Sequence, residues 1–168
     1  MYSVNEKIHY GGSGVCLIQD ITTMRVGRTR EKYYVLKPVY QNSSLIYVPV
    51  DNDRLTAKMR PVLSREEVDQ LIADIDEIPT AWEDDPQARK ASFDALLRSN
   101  QCRDLIVLIK TLNAHKELRQ ADGKALHVVD ETFLREAKRL LYDEFAGALE
   151  LQPAQIPAYI QTKQNESA

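Results

Sequence analysis

Long apolar runs are missing from this chain. The longest candidate, residues 105–109, is cut short by Lys110, far below the roughly 18 residues that a membrane span needs. Cysteine is scarce as well. Cys16 and Cys102 stand far apart in apolar surroundings, which argues against a disulfide framework and predicts buried thiols in a reducing cytoplasm. The opening MYSVNEKIHY lacks a basic leader and an apolar core, so no secretory signal is expected. The three histidines, His9, His115 and His127, fall into no close pairing with each other or with cysteine, and no metal site is expected. Gly11-Gly12-Ser13-Gly14 is followed by neither Gly-Lys-Ser/Thr nor a helix, so it reads as a hairpin turn and not a phosphate loop. Val15 stands where a nucleophile elbow around Ser13 needs glycine. Without a nucleophile, metal or cofactor constellation, the chain is not expected to be an enzyme, and no cofactor is expected.

What is present is an ordinary globular composition, 43% hydrophobic and 28% charged. The net charge of −3 hides an asymmetry. Residues 1–63 carry nine Lys/Arg against five acids, which is +4 and leaves −7 for the remainder. An acidic second half is a poor non-specific nucleic-acid binder, because phosphate neutralisation supplies most of that affinity.

The first half reads as short strands. Ile8 and Tyr10 alternate with His9, the glycine turn follows, and residues 15–21 form a second apolar stretch. Residues 22–32 are polar and basic, with Gly27 as the turn of a second hairpin that leads into the apolar stretch 33–36. Pro38 cannot donate to a ladder, so that strand should end there or lie at an edge. The polar cluster 40–44 closes a turn before 45–50, and 59–62 is a last brief run. Five short strands predict a small SH3/Tudor-like β-barrel over residues 1–62. Ser64-Arg65-Glu66-Glu67 then opens a different pattern with a capping box. Helical spacing follows at Val68, Leu71, Ile72 and Ile75. Asp85-Pro86 starts a second helix ending at Ser99-Asn100, a third runs from Cys102 to about Arg119, and a fourth from about Asp130 through Phe145. Residues 151–160 suggest one more short helix, with a frayed polar tail from Gln161. The class expected is α+β, with an all-α domain of four to five helices over residues 63–168.

Trp82, the only tryptophan, sits in a connector and not on an apolar stripe. Two readings are open. The indole plugs a gap between packed helices, or it is an exposed wedge for a partner, with Arg89, Lys90, Arg98 and Arg103 nearby to hold phosphates. Glu83-Asp84-Asp85 reads as an acidic helix start.

The order Tyr10-Gly11-Gly12-Ser13-Gly14-Val15, Ile18, Ile21, Tyr33-Tyr34-Val35-Leu36-Lys37, Val48-Pro49-Val50 and Met59-Arg60-Pro61-Val62 resembles the CarD/CdnL family of bacterial transcription regulators. Their N-terminal module is shared with the polymerase-binding domain of transcription-repair coupling factor. The likeness continues through Trp82, Arg89-Lys90, Leu97-Arg98-Ser99-Asn100 and residues 106–112 and 131–144. It implies that the first module pairs a strand edge with the β subunit of RNA polymerase, at positions matching Thr23, Met24, Arg25, Ile46 and Tyr47. It also implies that the helical domain makes weak contact with promoter DNA at the upstream fork of the melted region. Trp82 matches the inserting tryptophan, with Arg89, Lys90 and Arg98 beside it. Gly11, Pro38, Met24 and Tyr47 depart from the family pattern, and the segment between Trp82 and Arg89 is longer and more acidic. The rival expectation is a protein-interaction adaptor whose helical domain recruits another protein, with Trp82 as core. No membrane partner is expected, and the site is cytoplasmic in either case.

Overall fold

The computed structural model describes residues 1–166. Strands β1 (Lys7–Tyr10), β2 (Val15–Val26), β3 (Thr29–Pro38), β4 (Ile46–Pro49) and β5 (Met59–Pro61) form one antiparallel sheet in the order β4-β3-β2-β1-β5. The five strands are as expected, but the barrel is not closed. β4 and β5 are the two open margins of the sheet, and the short helix α1 (Asp53–Thr56) stands between them in the chain. β5 has only three residues and ends at Pro61, which has no N–H to give a ladder.

Strand alternation gives the sheet two apolar faces. Ile8, Cys16, Ile18, Tyr34, Leu36, Val48 and Met59 form the module's own core, with Tyr2 and Leu55 packed against it. On the other face, Val15 lies against Gly147, the one glycine inside a long helix. Residues 22–32, expected as a polar second hairpin turning at Gly27, form that hairpin and extend both strands: Thr22 pairs with Tyr33, and the ladder continues to Val26 opposite Thr29. Gly27, at φ 62°, takes the first place of the two-residue turn, where a positive φ favours glycine. The β-branched residues Thr22, Thr23, Val26 and Thr29 suit a ladder despite their surroundings.

The helices are α2 (Arg65–Asp74), α3 (Pro86–Arg98), α4 (Cys102–Ala121), α5 (Val128–Leu149) and α6 (Ile156–Glu166). The capping box at Ser64 forms in both directions, Glu67 N–H to Ser64 Oγ at 3.1 Å and Ser64 N–H to Glu67 Oε2 at 2.8 Å. Asp85 caps α3, accepting from Ala88 N–H at 2.9 Å, with Pro86 as the first helical residue. The tail expected to fray from Gln161 is helical through Glu166. Phe93, Leu108, Leu112, Leu134 and Phe145 are fully enclosed in the bundle core.

The sheet and the bundle share a buried polar junction. Arg60 on β5 and His9 on β1 are cross-strand partners, and both face Glu144, a fully buried residue of α5. Glu144 also accepts from Cys102 Sγ at 3.0 Å and from Leu63 N–H at 3.1 Å. Arg139 donates to Gly12 O at 2.8 Å, and Gln41 to Asp143 at 3.0 Å.

Candidate partner-binding surfaces

Besides the margins β4 and β5, the outer edges of β2 and β3 are unpaired toward the turn at Gly27. β1 and the chain before it follow β2 only as far as Ile18, where Asn5 N–H donates to Ile18 O at 2.7 Å. Past Asp20, no strand pairs with the outer edge of β2 among the described residues. On the other side, β4 follows β3 only from Leu36 to Tyr33, after which Val50 N–H closes on Lys32 O at 2.9 Å. Residues 23–32 therefore project as a two-stranded ribbon, exposed along its whole length.

The five residues expected to meet a polymerase divide between these edges. Thr23, Met24 and Arg25 lie on the ribbon, all exposed. Ile46 and Tyr47 lie on β4, two strands away. Ile46 packs against the sheet core, while Tyr47 points to the opposite face and is 47% exposed. A single added strand, spaced about 4.8 Å from its neighbour, can pair with one of these edges and not with both.

The Trp82 region is built by the connector between α2 and α3. Lys110 holds its start, donating at 2.6 Å to the carbonyls of Ile75 and Ile78, and Ala81 N–H donates to Thr111 Oγ1 at 2.9 Å. The indole is half-buried. His115 stacks on it with 3.7 Å between ring centroids and 20° between planes, and Phe93 meets it edge-on at 6.1 Å. The Arg89 guanidinium lies over the ring at 4.5 Å, and Trp82 Nε1 donates to Asp84 Oδ1 at 3.1 Å. Burial lowers the His115 imidazole from its ordinary value, with the Asp130 carboxylate pulling the other way. A recess of about 450 Å³ beside the indole is lined by Thr80, Thr111, Ala114 and Leu118.

Of the basic residues expected beside Trp82, Arg89 lies inside. Its Nε donates to Asp130 Oδ1 at 3.4 Å, and Nη1 donates to the carbonyls of Glu83 and Asp84 at 3.1 and 3.2 Å. The guanidinium thus fixes the connector and covers the indole. Lys90 and Arg98 are exposed on α3, about 12 Å apart along the axis, and Arg98 pairs with Asp94 at 3.2 Å. Sequence reasoning weighed His115 only as a metal ligand and gave Asp130 and Glu144 no part in a site. The last carried a signal, since it falls three and four residues after Leu141 and Leu140, on the apolar stripe of α5.

Among the described residues no helix is long and apolar enough to cross a membrane, and no group of three or more His, Cys, Asp and Glu is placed to hold a metal ion. The features define an α+β protein: an open antiparallel module with free edges, followed by a helical bundle. Residues 2–63 match the CarD-like/TRCF RID domain, and the sheet module is of that kind. Domains of this kind interact with the β subunit of RNA polymerase. No curated protein matches the chain.

Proposed function

We propose that this chain is a transcription regulator that docks on the RNA polymerase β subunit through its sheet module and modulates promoter open complexes through its helical bundle. The supporting observation is the CarD-like/TRCF RID match over residues 2–63, on a module whose edges are left unpaired. Edge pairing supplies affinity through backbone hydrogen bonds, and flanking side chains supply choice. Met24 stands beside one edge and Tyr47 beside the other. Titrating the full-length protein with the polymerase β-subunit lobe tests the reading. Binding lost in Met24→Glu and kept in Tyr47→Glu assigns the β2 edge, and the converse assigns β4. Failure of the unaltered protein to bind the lobe removes the proposal.

In this reading the bundle meets DNA at the upstream fork, with Lys90 and Arg98 toward phosphate and Trp82 as the wedge. Insertion requires the indole to leave His115 and Arg89, in addition to a few kcal/mol for unstacking the DNA step. Tethering by polymerase offsets weak DNA contacts by raising the effective concentration. Trp82→Ala then shortens open-complex lifetime while polymerase binding is unchanged. The packing of Trp82 favours a second reading, an adaptor in which the indole is structural and the bundle recruits a further protein. Indole emission that stays the same on adding polymerase with forked DNA selects the adaptor.

A further inference from the structure

We propose that the β2–β3 ribbon is a nucleic-acid contact, holding backbone phosphates on the face that carries Arg25, Arg30 and Lys32. The register separates its two faces. Arg25 pairs with Arg30 and Thr23 with Lys32 on one face, while Met24 pairs with Glu31 and Val26 with Thr29 on the other. Arg28 lies in the turn between them.

The Arg25–Arg30 pair is the observation that calls for an explanation. Side chains directly opposite in an antiparallel ladder have Cβ atoms about 4.5–5.5 Å apart, and like charges there destabilise the strands. No carboxylate relieves this pair. Among the described residues none of Arg25, Arg28, Arg30 and Lys32 is in an ion pair, and the Arg25 Nε donates to the Gly27 carbonyl at 3.2 Å. The ribbon's one acid, Glu31, is on the other face and accepts from the Tyr33 hydroxyl at 3.1 Å. Charge protects exposed strands from aggregation, but either sign serves that purpose, and opposite signs would also stabilise the pairing. A surface that keeps self-repulsion in the free protein is compensated when an anion sits on it.

The chemistry favours phosphate over an acidic protein surface. Protein interfaces accept arginine but set it around apolar and aromatic side chains, and the basic face of the ribbon has no apolar side chain. Met24 and Val26, 41% and 44% exposed, are on the opposite face, where a protein partner would find them. A two-stranded ribbon is of a width that the major groove admits, and the planar guanidinium fork matches phosphate oxygens. The inference does not rest on polymerase docking, because pairing along the β2 edge uses backbone groups, and the flanking side chains Met24 and Val26 are on the face opposite the basic one.

The test is fluorescence anisotropy of a short labelled DNA duplex with the full-length protein and no polymerase, over a range of salt. Three phosphate contacts give a slope of log affinity against log salt of about −3, at roughly −0.9 for each phosphate neutralised. Arg25→Gln/Arg30→Gln/Lys32→Gln should weaken binding at low salt by about tenfold or more and flatten the slope. Arg135→Gln, an exposed arginine on α5, should change it by less than about twofold. Arg30→Glu supplies a readout independent of folding defects: it replaces the repulsive pair with an attractive one, so the melting temperature should rise while DNA affinity falls. No duplex binding by the unaltered protein at low salt overturns the proposal. So does a triple variant that binds DNA normally, and one that loses only the polymerase β lobe assigns the face to protein instead.

Discussion

Arg60 and Glu144 join the two halves of the molecule end-on, with Nη1 2.5 Å from Oε2 and Nη2 2.5 Å from Oε1. The carboxylate is fully buried, and Arg60 is held further by its Nε donating to Asn100 O at 2.7 Å. Burial opposes ionisation of Glu144, but the hydrogen bonds from Arg60, with His9 adding to them, hold its carboxyl below the ordinary value. Removing one partner of such a pair strands the other. Glu144→Ala should cost about 3–5 kcal/mol in urea unfolding, with Arg60→Ala/Glu144→Ala less destabilised than the sum of the single variants. Additive losses would mean that the pair does not hold the junction.

His9 gives the junction a pH dependence. Burial lowers its imidazole from 6.5; the Glu144 carboxylate and Asn100 side chain pull it up, while Arg60 and Arg139 push it down. Cys102 and Asp143 are the other titratable groups close by, both raised chiefly by burial. The unfolded chain therefore protonates His9 before the folded one does. Its contribution is present above about pH 6.5 and is lost as pH falls through the window below. Glu144 adds a further loss as pH falls below the ordinary carboxylate range, and Asp143 acts in the opposite sense there. The difference in unfolding free energy between the unaltered protein and His9→Gln should shrink between pH 7 and pH 5. A difference independent of pH would show that His9 matters by shape alone.

Trp82, Arg89 and Asp130 form one unit, so disturbing any of them should reach the indole. Arg89→Ala leaves a nearly buried carboxylate unpaired and uncovers the ring. It should destabilise the protein by about 3 kcal/mol or more and shift indole emission to the red with easier quenching. His115→Ala removes the stacked ring without stranding a charge, so it should change emission and quenching with a smaller loss, about 0.5–1.5 kcal/mol. Unchanged emission in both variants would contradict the packed indole.

Local chemistry was the most legible part of the sequence. The capping box at Ser64, the Asp85-Pro86 start and the break at Ser99-Asn100 were readable because each depends on residues within one turn. The five strands were visible from apolar runs, but closure was not, since it depends on which distant edges meet. The ribbon's turn at Gly27 was legible but the reach of its strands was not, because its residues face water on both sides, which removes the alternation that marks a half-buried strand. For Trp82 two readings stood open because the groups that cover it, His115 and Arg89, lie on two different helices. Arg89, expected at the surface from its charge, is drawn inside by Asp130, a partner 41 residues away.

The sheet and α5 also pack closely at Gly147, where a Cβ would lie 3.2 and 3.3 Å from the two methyls of Val15. Within α5, replacing glycine by alanine should by itself gain about 0.8–1 kcal/mol of helix propensity. Val15 is almost fully buried between sheet and helix, so the added methyl has to push the backbones apart or move a packed side chain. Gly147→Ala should therefore show little or none of that gain. In a Val15→Ala background, where both methyls are gone, the same substitution should stabilise by about 1 kcal/mol. The coupling between the two positions should be at least 0.5 kcal/mol, roughly the least that touching residues show. A full gain in the unaltered background would mean that α5 and β2 are not in close contact there.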